Sequence, residues 1–482
     1  MILLIDCYIL ILDLKIPRLA AEPKNRKDAT MKHDNYYDVT EWPGTDPHQD
    51  IGKTMNEIIA DIHHKQGAVP TDGNTLRGLP GATIHIPVGD WPLHTQVVID
   101  ISYVRVEGEG HGFTSSSIRY NADPSSWSSM HEIWPGGSRI INLLASSASL
   151  PDPSRAAILI HRDGEPRISS VEIKGLCIDG AHFLPTTNAG KGADDLNPEN
   201  SYANGRAGIW IDSANDSFRI SECGFVYLER GLVIRQADAI SVHDNFIAEC
   251  GNCLEMLDWS QASKITDNLI GAGYVGHSIS IENGGGILVT GNNIFPRGKE
   301  SILLNGCIRT TITANRLNSF YPGMIVIRGA ENLIAANHLY RSSEPWVPML
   351  MHKSSLEDPY GLIRVEGNDN TIVANHISIV LDPENISPAG SRPVGIRVSS
   401  GTGNKIMENH VVARTENSVN SDKESAFKAQ VGAVLSISAT RSIPFISVQI
   451  DEDACGNTVL DSGAKKQLHI SAQNAYRADP SL

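Results

Sequence analysis

The segment NTIVANHI (370–377) alternates aliphatic and polar residues and then turns at an asparagine. Five other segments repeat this pattern: ASKITDNLI (262–270), GILVTGNNI (286–294), TTITANRL (310–317), NLIAANHL (332–339) and NKIMENHV (404–411). Successive turn asparagines are 23, 25, 22, 22, 38 and 34 residues apart, at Asn245, Asn268, Asn293, Asn315, Asn337, Asn375 and Asn409. The second half of the chain is therefore a repeat, and its two longer intervals indicate inserted loops.

A period of 22 to 25 residues with β-branched alternation and no helical pattern predicts an all-β fold, a right-handed parallel β-helix. Leucine-rich repeats share the period, but the LxxLxL pattern is missing from the sequence. We expect asparagine to occupy the left-handed position of each turn, because it tolerates that conformation better than other residues. Its side chain is also expected to form hydrogen bonds from coil to coil.

The hydrophobic core of a β-helix is open at both ends, and each end must be capped. An amphipathic helix from Pro47 to His64, with Asp46 or Asp50 as its N-cap, is predicted to be the N-terminal cap. Residues 36–465 are expected to form one catalytic β-helix domain, with a loop insertion at 181–204. Residues 1–35 are predicted to be a disordered extension or a misassigned start upstream of Met31, and residues 466–482 a C-terminal tail.

The composition excludes several classes of function. The chain has 482 residues and a net charge of −15, which disfavours nucleic acid and polyanionic substrates, so a neutral ligand is expected. Seven irregularly spaced cysteines do not indicate a disulfide framework. The apolar start is interrupted by Asp6 and Asp13, is too short to span a bilayer and has no convincing signal-peptide pattern. No membrane association is predicted.

Two acids, Asp238 and Glu249, flank the turn at Asn245. A pair of carboxylates is sufficient for glycosyl chemistry, since one donates a proton to the leaving oxygen while the other removes one from the attacking hydroxyl. Nearby polar and aromatic residues are candidates for substrate binding: Glu222, Glu229, Asp258, Trp259 and Gln261. No nucleotide-binding fingerprint or zincin motif is present, so neither a cofactor nor a metal is expected.

Several segments, in order, resemble the inulin fructotransferases of glycoside hydrolase family 91. They are YDVTEWPGTDP (37–47), GHGFTSSSIRY (110–120), WPGGSRI (134–140), DSANDSFRI (212–220), GFVYLE (224–229), ADAISVHDNFIAEC (237–250), QASKITDNLIGAG (261–273), NNIFPRGK (292–299) and FYPGM (320–324). The resemblance covers about residues 37–465. It implies a trimeric right-handed β-helix that needs no metal or organic cofactor, with active sites near subunit contacts.

The resemblance also implies an activity. The two acids of the family motif fall on Asp238 and Glu249, with Glu249 as proton donor or acceptor and Asp238 as its partner. The implied reaction is intramolecular fructosyl transfer, which releases a difructose dianhydride of type III from β-2,1-fructan. The same family contains difructose dianhydride hydrolases, which open the cyclic disaccharide to inulobiose, and the catalytic motif does not separate the two.

Localisation follows the substrate, since a polymer implies secretion and a cyclic disaccharide a cytoplasmic enzyme. Two more distant alternatives remain open at this stage. A polysaccharide lyase acting on uronates is disfavoured by the acidic charge and by the lack of a calcium-binding acid cluster. A non-catalytic carbohydrate-binding β-helix is the other.

Overall fold

The protein is described from a computed structural model. The structure describes residues 35–68, 78–112, 129, 136–145, 152–164, 166–181, 203–271, 276–295, 299–319, 323–341, 360–381, 392–415 and 441–478. The predicted N-terminal extension and most of the predicted loop at 181–204 lie outside these ranges. The described residues belong to one compact unit that begins at Asn35.

Within the described ranges, the strands form three long sheets, here named A, B and C. The strands of sheet A are Tyr36–Asp38, Ala82–Ile86, Val104–Gly108, Glu172–Lys174, Arg219–Ser221, Ser241–His243, Lys264–Thr266, Leu288–Thr290, Thr311–Thr313, Leu333–Ala335, Thr371–Val373, Lys405–Met407, Thr458–Leu460 and Ala475–Arg477. The strands of sheet B are Gly89–Leu93, Ser138–Asn142, Cys177–Asp179, Gly224–Val226, Phe246–Ala248, Leu269–Ile270, Asn293–Ile294, Arg316–Ser319, His338–Arg341, His376–Leu381, His410–Thr415 and Arg441–Ser442. The strands of sheet C are Val97–Ile99, Ala156–Ile160, Ala203–Asp216, Leu228–Asp238, Asn252–Leu257, Ile279–Glu282, Ile302–Ile308, Ile325–Ala330, Ile363–Glu366, Val394–Thr402, Ile446–Ile450 and Leu468–Ile470, with Ala454–Cys455 beside the strand Val394–Thr402.

Each coil runs through sheets A, B and C in turn, and each strand pairs in parallel with its equivalents in the coils before and after it. Within the described part of the chain, the antiparallel exception is the pair Arg414–Ser442 near the end of sheet B. This arrangement confirms the predicted right-handed parallel β-helix. The corners between sheets, named CA, AB and BC after the sheets that they join, are the places where side chains leave the column.

The core is a stack of inward-facing aliphatic side chains. One row in sheet A places the same kind of residue in register on successive strands, and every member is fully buried: Val242, Ile265, Val289, Ile312, Ile334, Ile372, Ile406 and Val459. Burial of each such side chain contributes about 1.5–3 kcal/mol relative to leaving it exposed. The alternation in the sequence is therefore the alternation between core and surface.

The capping helix is confirmed and spans Pro47–Gly67. Asp46 caps its start by accepting a hydrogen bond from the His48 amide. Asp50 interrupts the helix with an extended backbone, and its buried carboxylate accepts hydrogen bonds from the amides of Gly52, His94 and Thr95. Both candidate caps are thus used, and these hydrogen bonds hold the pKa of Asp50 below its usual value even though burial opposes them.

The helix packs its apolar face on the open end of the column, as predicted. The side chains of Ile51, Met55, Ile58, Ile59 and Ile62 are buried in the same core as the strands. Three short 3-10 helices complete the regular structure of the described residues: Val39–Glu41, Pro153–Arg155 and Lys465–Gln467.

The turn asparagines form a buried ladder, but one rung differs from the prediction. Asn292, not Asn293, accepts hydrogen bonds from the Asn268 amide and side chain, and it donates in turn to Asn315. Asn293 instead begins a strand and is half-buried. A second ladder runs beside the first through Asn332, Asn370, Asn404, Asn457 and Asn474.

Of the two predicted reasons for asparagine at these turns, the hydrogen bonds from coil to coil are confirmed and the left-handed backbone is wrong. In the first ladder, the residue before each asparagine carries the left-handed conformation, with φ of 57° at Asp244, 70° at Gly291 and 55° at Ala314. The asparagine itself is chosen for its amide, which bonds to the coils on both sides. Nδ2 of Asn292 donates to the Ile265 carbonyl and to Oδ1 of Asn315, both at 3.0 Å.

Substitution of the correct rung is expected to be far more damaging than substitution of its neighbour. Asn292→Ala leaves buried donors and acceptors of three coils without partners, so it should lower the free energy of unfolding by about 3 kcal/mol. Asn293→Ala is the matched control, because its side chain bonds only to exposed Arg316 among the described contacts, and it should change stability by less than about 0.5 kcal/mol. Urea denaturation of both variants checks this, and equal effects would contradict the ladder register.

The expected C-terminal tail at 466–482 is corrected. Leu468–Ile470 pairs in parallel with sheet C, and Ala475–Arg477 pairs with sheet A, so the last coil extends to Arg477. The asparagine ladder continues into this coil through Asn474, whose oxygen accepts from the Asn457 amide. The reason is that the weak pattern after Asn409 still supplies buried residues such as Val448, Val459 and Leu468, on which the exposed strand Ala475–Arg477 adds main-chain pairing. Across the described ranges, no helix is long and apolar enough to cross a membrane.

Candidate active site

The two predicted acids lie at different corners of the column. Asp238 ends the sheet C strand Leu228–Asp238 and is at corner CA. Glu249 follows the sheet B strand Phe246–Ala248 and is at corner BC. These corners are separated by the width of sheet C, where the strand Asn252–Leu257 of 6 residues spans about 20 Å at about 3.3 Å per residue. Within one protomer the two acids, which flank one turn in the sequence, therefore lie at opposite edges of sheet C.

Corner CA brings together Asp238 and three of the predicted binding residues. Asp238 is half-buried and pairs with Gln261 of the next coil, whose Nε2 lies 3.3 Å from the Asp238 Oδ2. Asp258 and Trp259 occupy the same corner, between the strand Asn252–Leu257 and Gln261. Trp259 is 71% exposed, which leaves its indole ring available to a sugar face.

The backbone of this corner is strained. Asp258 and Trp259 are consecutive non-glycine residues with φ of 51° and 70°. Such conformations persist only where surrounding contacts enforce them, and they are frequent at functional sites. Here Arg235 supplies the contact, since its Nε donates to Asp258 at 2.6 Å while Nη1 lies 3.3 Å from Asp212. The hydrogen bond that Arg235 donates to Asp258 raises the pKa of Arg235, so the bridge keeps its charge.

Corner BC buries Glu249, which is only 1% exposed and has φ of 54°. Tyr227 occupies the equivalent position one coil earlier, with φ of 57°, and it packs with Cys177 and Val226 on the outer side of sheet B. Glu229 lies at the same corner and accepts a hydrogen bond from the Gly205 amide.

An unpredicted ion cluster lies on sheet B next to corner BC. Asp179 is in register with Val226 and, through it, with Ala248, the residue before Glu249. Nη1 of Arg139 is 3.1 Å from Asp179, and the same guanidinium binds Asp90 through two hydrogen bonds of 2.8 and 2.6 Å. Burial raises the pKa of Asp179 to about 6, although the charge of Arg139 opposes the rise.

The shifted pKa of Asp179 predicts a pH-dependent stability. Because the folded pKa of about 6 exceeds the ordinary aspartate pKa of 3.8, the unfolded chain releases this proton first as the pH rises. Asp179 contributes up to about 3 kcal/mol to the free energy of unfolding. This contribution is fully present below about pH 4 and is lost as the pH rises through 6. Asp179→Asn should therefore gain stability relative to wild type between pH 4 and pH 7, as measured by urea denaturation at both values. Asp163→Asn, at an exposed site, is the control, and identical pH slopes for Asp179→Asn and wild type would contradict the prediction.

Glu222 lies at the corner of neither Asp238 nor Glu249. It lies at corner AB, exposed, with its carboxylate 3.9 Å from the Lys174 ammonium. Of the predicted binding residues, the structure therefore groups Asp258, Trp259 and Gln261 with Asp238, and Glu229 with Glu249. Among the residues that the structure describes, no group of three histidine, cysteine or acidic side chains is placed to hold a metal ion.

Comparison with known proteins agrees with this architecture. A sequence profile described as the β-helix repeat of inulin fructotransferase matches residues 336–480, and one for the periplasmic copper-binding protein NosD matches residues 185–348. The chain is 39% identical to the DFA-I-forming inulin fructotransferase of Arthrobacter globiformis over 385 residues, which cover 78% of this chain and 89% of that protein. The chain belongs to the inulin fructotransferase family.

Solved structures of a DFA-IIIase from Arthrobacter chlorophenolicus A6 are also similar to this family member. The structure without a named ligand is 49% identical, with a TM-score of 0.83, over 93% of this chain and 100% of that chain. The complex with GF2 is 50% identical with the same TM-score and coverage, and the complex with DFA-III is 49% identical over 92% of this chain and 99% of that one. The predicted family and fold are both confirmed.

Sequence reasoning missed Arg235, Arg139 and Asp179. Asp179 is 40 residues from its partner Arg139, and Arg235 is 23 residues from both Asp212 and Asp258. The signal for Arg235 was available, because a separation of 23 residues is one coil of the repeat. No comparable signal exists for Arg139, since the coils near it have irregular lengths.

Proposed function

We propose that this protein acts on the end of β-2,1-fructan and releases a difructose dianhydride by intramolecular fructosyl transfer. The observation that carries the proposal is its 39% identity, over 78% of this chain and 89% of the other, to a DFA-I-forming inulin fructotransferase. We assign the product to type III, in line with the similarity to a DFA-IIIase that binds DFA-III. The neutral sugar suits a chain with a net charge of −15.

Asp238 and Glu249 are the proposed acid–base pair. A hydroxyl of one fructosyl unit attacks the anomeric carbon of its neighbour, and the bond from that carbon to the rest of the chain breaks. One carboxylate accepts the hydroxyl proton and the other delivers a proton to the leaving oxygen. Glu249 suits delivery because it is buried, whereas half-buried Asp238 lies at an accessible corner beside Trp259.

The proposed site is completed by a neighbouring protomer. The acids lie at opposite edges of sheet C, too far apart to act together within one chain. A closed ring of three protomers, in which corner CA of one meets corner BC of the next, brings Asp238 of one chain to Glu249 of another. Such a head-to-tail contact closes into a ring when the rotation is threefold. The homotrimer is thus part of the proposed mechanism.

Opening of a difructose dianhydride by water is the second candidate. It is favoured by the higher identity to the DFA-IIIase, 49% over 93% of the chain, than to the fructotransferase, 39% over 78%. The same two carboxylates would serve, with water in place of the attacking sugar hydroxyl. Secretion would then not be required of the enzyme, since a disaccharide is small enough for import.

An assay with two substrates tests the proposal. The purified protein is incubated separately with inulin and with DFA-III, and the products are resolved by chromatography and identified by NMR. We expect a cyclic dianhydride from inulin. Release of inulobiose from DFA-III, with no product from inulin, would replace the first candidate by the second, and inactivity on both would refute the proposed function.

A further inference from the structure

The outer face of sheet C carries buried side chains where a β-helix normally presents solvated ones. Trp210, Val233 and Glu255 occupy in-register positions on three successive strands. Trp210 is 5% exposed, Glu255 6%, and Val233 is fully buried. Trp210 and Val233 form an apolar cluster of their own, separate from the core column. These side chains of sheet C are therefore enclosed by the protein and do not form an open surface.

Arg230 connects the two ends of this row. Its Nη1 lies 2.9 Å from the Glu255 carboxylate, and its guanidinium carbon is 6.0 Å from the centre of the Trp210 ring. Asn252 donates from Nδ2 to the other Glu255 oxygen at 3.2 Å, and its own oxygen accepts from the His277 amide. Asn252 begins its strand three residues after Glu249, so Glu255 and its partners lie on the side of sheet C near corner BC.

Stability does not explain this group. A buried ion pair costs about as much in desolvation as it returns in attraction, and apolar residues of similar volume would serve the fold equally well. Burial raises the pKa of Glu255 although the charge of Arg230 opposes the rise, and this indicates that the carboxylate is desolvated. In addition, among the described residues neither Nε1 of Trp210 nor Nε of Arg230 has a hydrogen-bond acceptor, although both atoms are buried. Buried donors without acceptors are rare in native proteins and point to a missing ligand atom or water.

We propose that Trp210, Arg230 and Glu255 form a subsite for a fructosyl unit of the substrate, a specificity element distinct from the reacting pair. The indole and guanidinium N–H groups donate to sugar hydroxyl or ring oxygens, and Glu255 accepts from a hydroxyl. Six residues separate Glu249 from Glu255, at most about 20 Å of extended chain. The proposed subsite is assigned to a unit next to the linkage at which bonds change. This inference rests on the proposed function, because it takes the ligand to be a fructan.

Two conservative variants test the subsite. Trp210→Phe keeps an aromatic ring in the apolar cluster and removes only the N–H donor, and Glu255→Gln keeps the shape and removes the charge. Each should raise KM for inulin about tenfold, the value of one well-formed hydrogen bond, with kcat within about twofold of wild type. Arg397→Gln is the matched control, since Arg397 forms a comparable ion pair with Asp451 further along the same sheet. Circular dichroism verifies that each variant is folded.

A direct binding measurement separates the two proposals. Titration calorimetry with an inulin-type oligosaccharide should show the same tenfold loss of affinity in both variants and none in Arg397→Gln. KM and affinity unchanged in Trp210→Phe and Glu255→Gln would overturn the subsite even when the wild-type enzyme is active. An inactive wild type that still loses oligosaccharide affinity in these variants would refute the proposed reaction and support the subsite.

Discussion

Glu249→Gln is expected to lower turnover on the natural substrate at least a hundredfold while the protein stays folded. The substitution keeps the size of the side chain and its capacity for hydrogen bonds, but it removes the proton that the reaction transfers, and such groups contribute about 10²–10⁴-fold to rate. Glu249 is 1% exposed, so its environment is fixed by packing and not by the charge alone. Initial rates at saturating substrate measure the effect, and near-wild-type KM would show that binding is retained.

The control for this variant is Glu222→Gln, at exposed corner AB. It changes the same functional group at a site that neither acid reaches, so its rate should be that of wild type. A Glu249→Gln protein that is folded and fully active would remove Glu249 from the mechanism. A protein that loses its β-sheet signal in circular dichroism would instead give Glu249 a structural role.

Mixed assemblies of two inactive variants are expected to recover activity. In Asp238→Asn the protomer keeps a functional Glu249, and in Glu249→Gln it keeps a functional Asp238. If each site combines Asp238 of one chain with Glu249 of its neighbour, a ring that contains both variants rebuilds intact sites. Random assembly in equal amounts restores about a quarter of the sites of a threefold ring. Co-expression with two affinity tags, followed by tandem purification, isolates the mixed species for assay.

This experiment depends directly on the corner geometry. The strand Leu228–Asp238 keeps the two acids of one chain apart, so complementation needs sites that are shared between chains. The double variant, Asp238→Asn with Glu249→Gln, mixed with either single variant is the control and should stay inactive, because no pair then contains both carboxylates. If mixed trimers remain inactive while wild-type trimers are active, both acids of a site lie in one protomer.

Much of the fold could be predicted from the sequence because its determinants are local. The alternation of aliphatic and polar residues records which side chains enter the core, and it needs no knowledge of distant contacts. The capping helix followed from one apolar face and an N-cap, and it extends to Gly67 where the prediction ended at His64. The family motif around residues 237–250 likewise identified the two acids without reference to any coordinate.

The sequence did not determine which residue occupies each position of a turn. Two adjacent asparagines, Asn292 and Asn293, fit the repeat equally well, and only the packing of the coil shows that Asn292 joins the ladder. The left-handed position falls one residue earlier than expected, at Gly291 in that coil. A shift of one residue reverses the side on which a strand side chain lies, so these choices are made by contacts between coils and not by local preference.

The sequence by itself determined the β-helix, its N-terminal cap, the family and the identity of the candidate acids. Only the tertiary structure decided that Asp238 and Glu249 occupy opposite edges of sheet C, that Arg235 supports the Trp259 corner, and that Glu255 lies in a buried row with Trp210. The physical reason is that a periodic pattern specifies which residues face the core, whereas position around the column depends on how many residues each corner and loop contains. Residues 11 apart in the chain are therefore separated by two sheets, while residues 23 apart stack directly on one another.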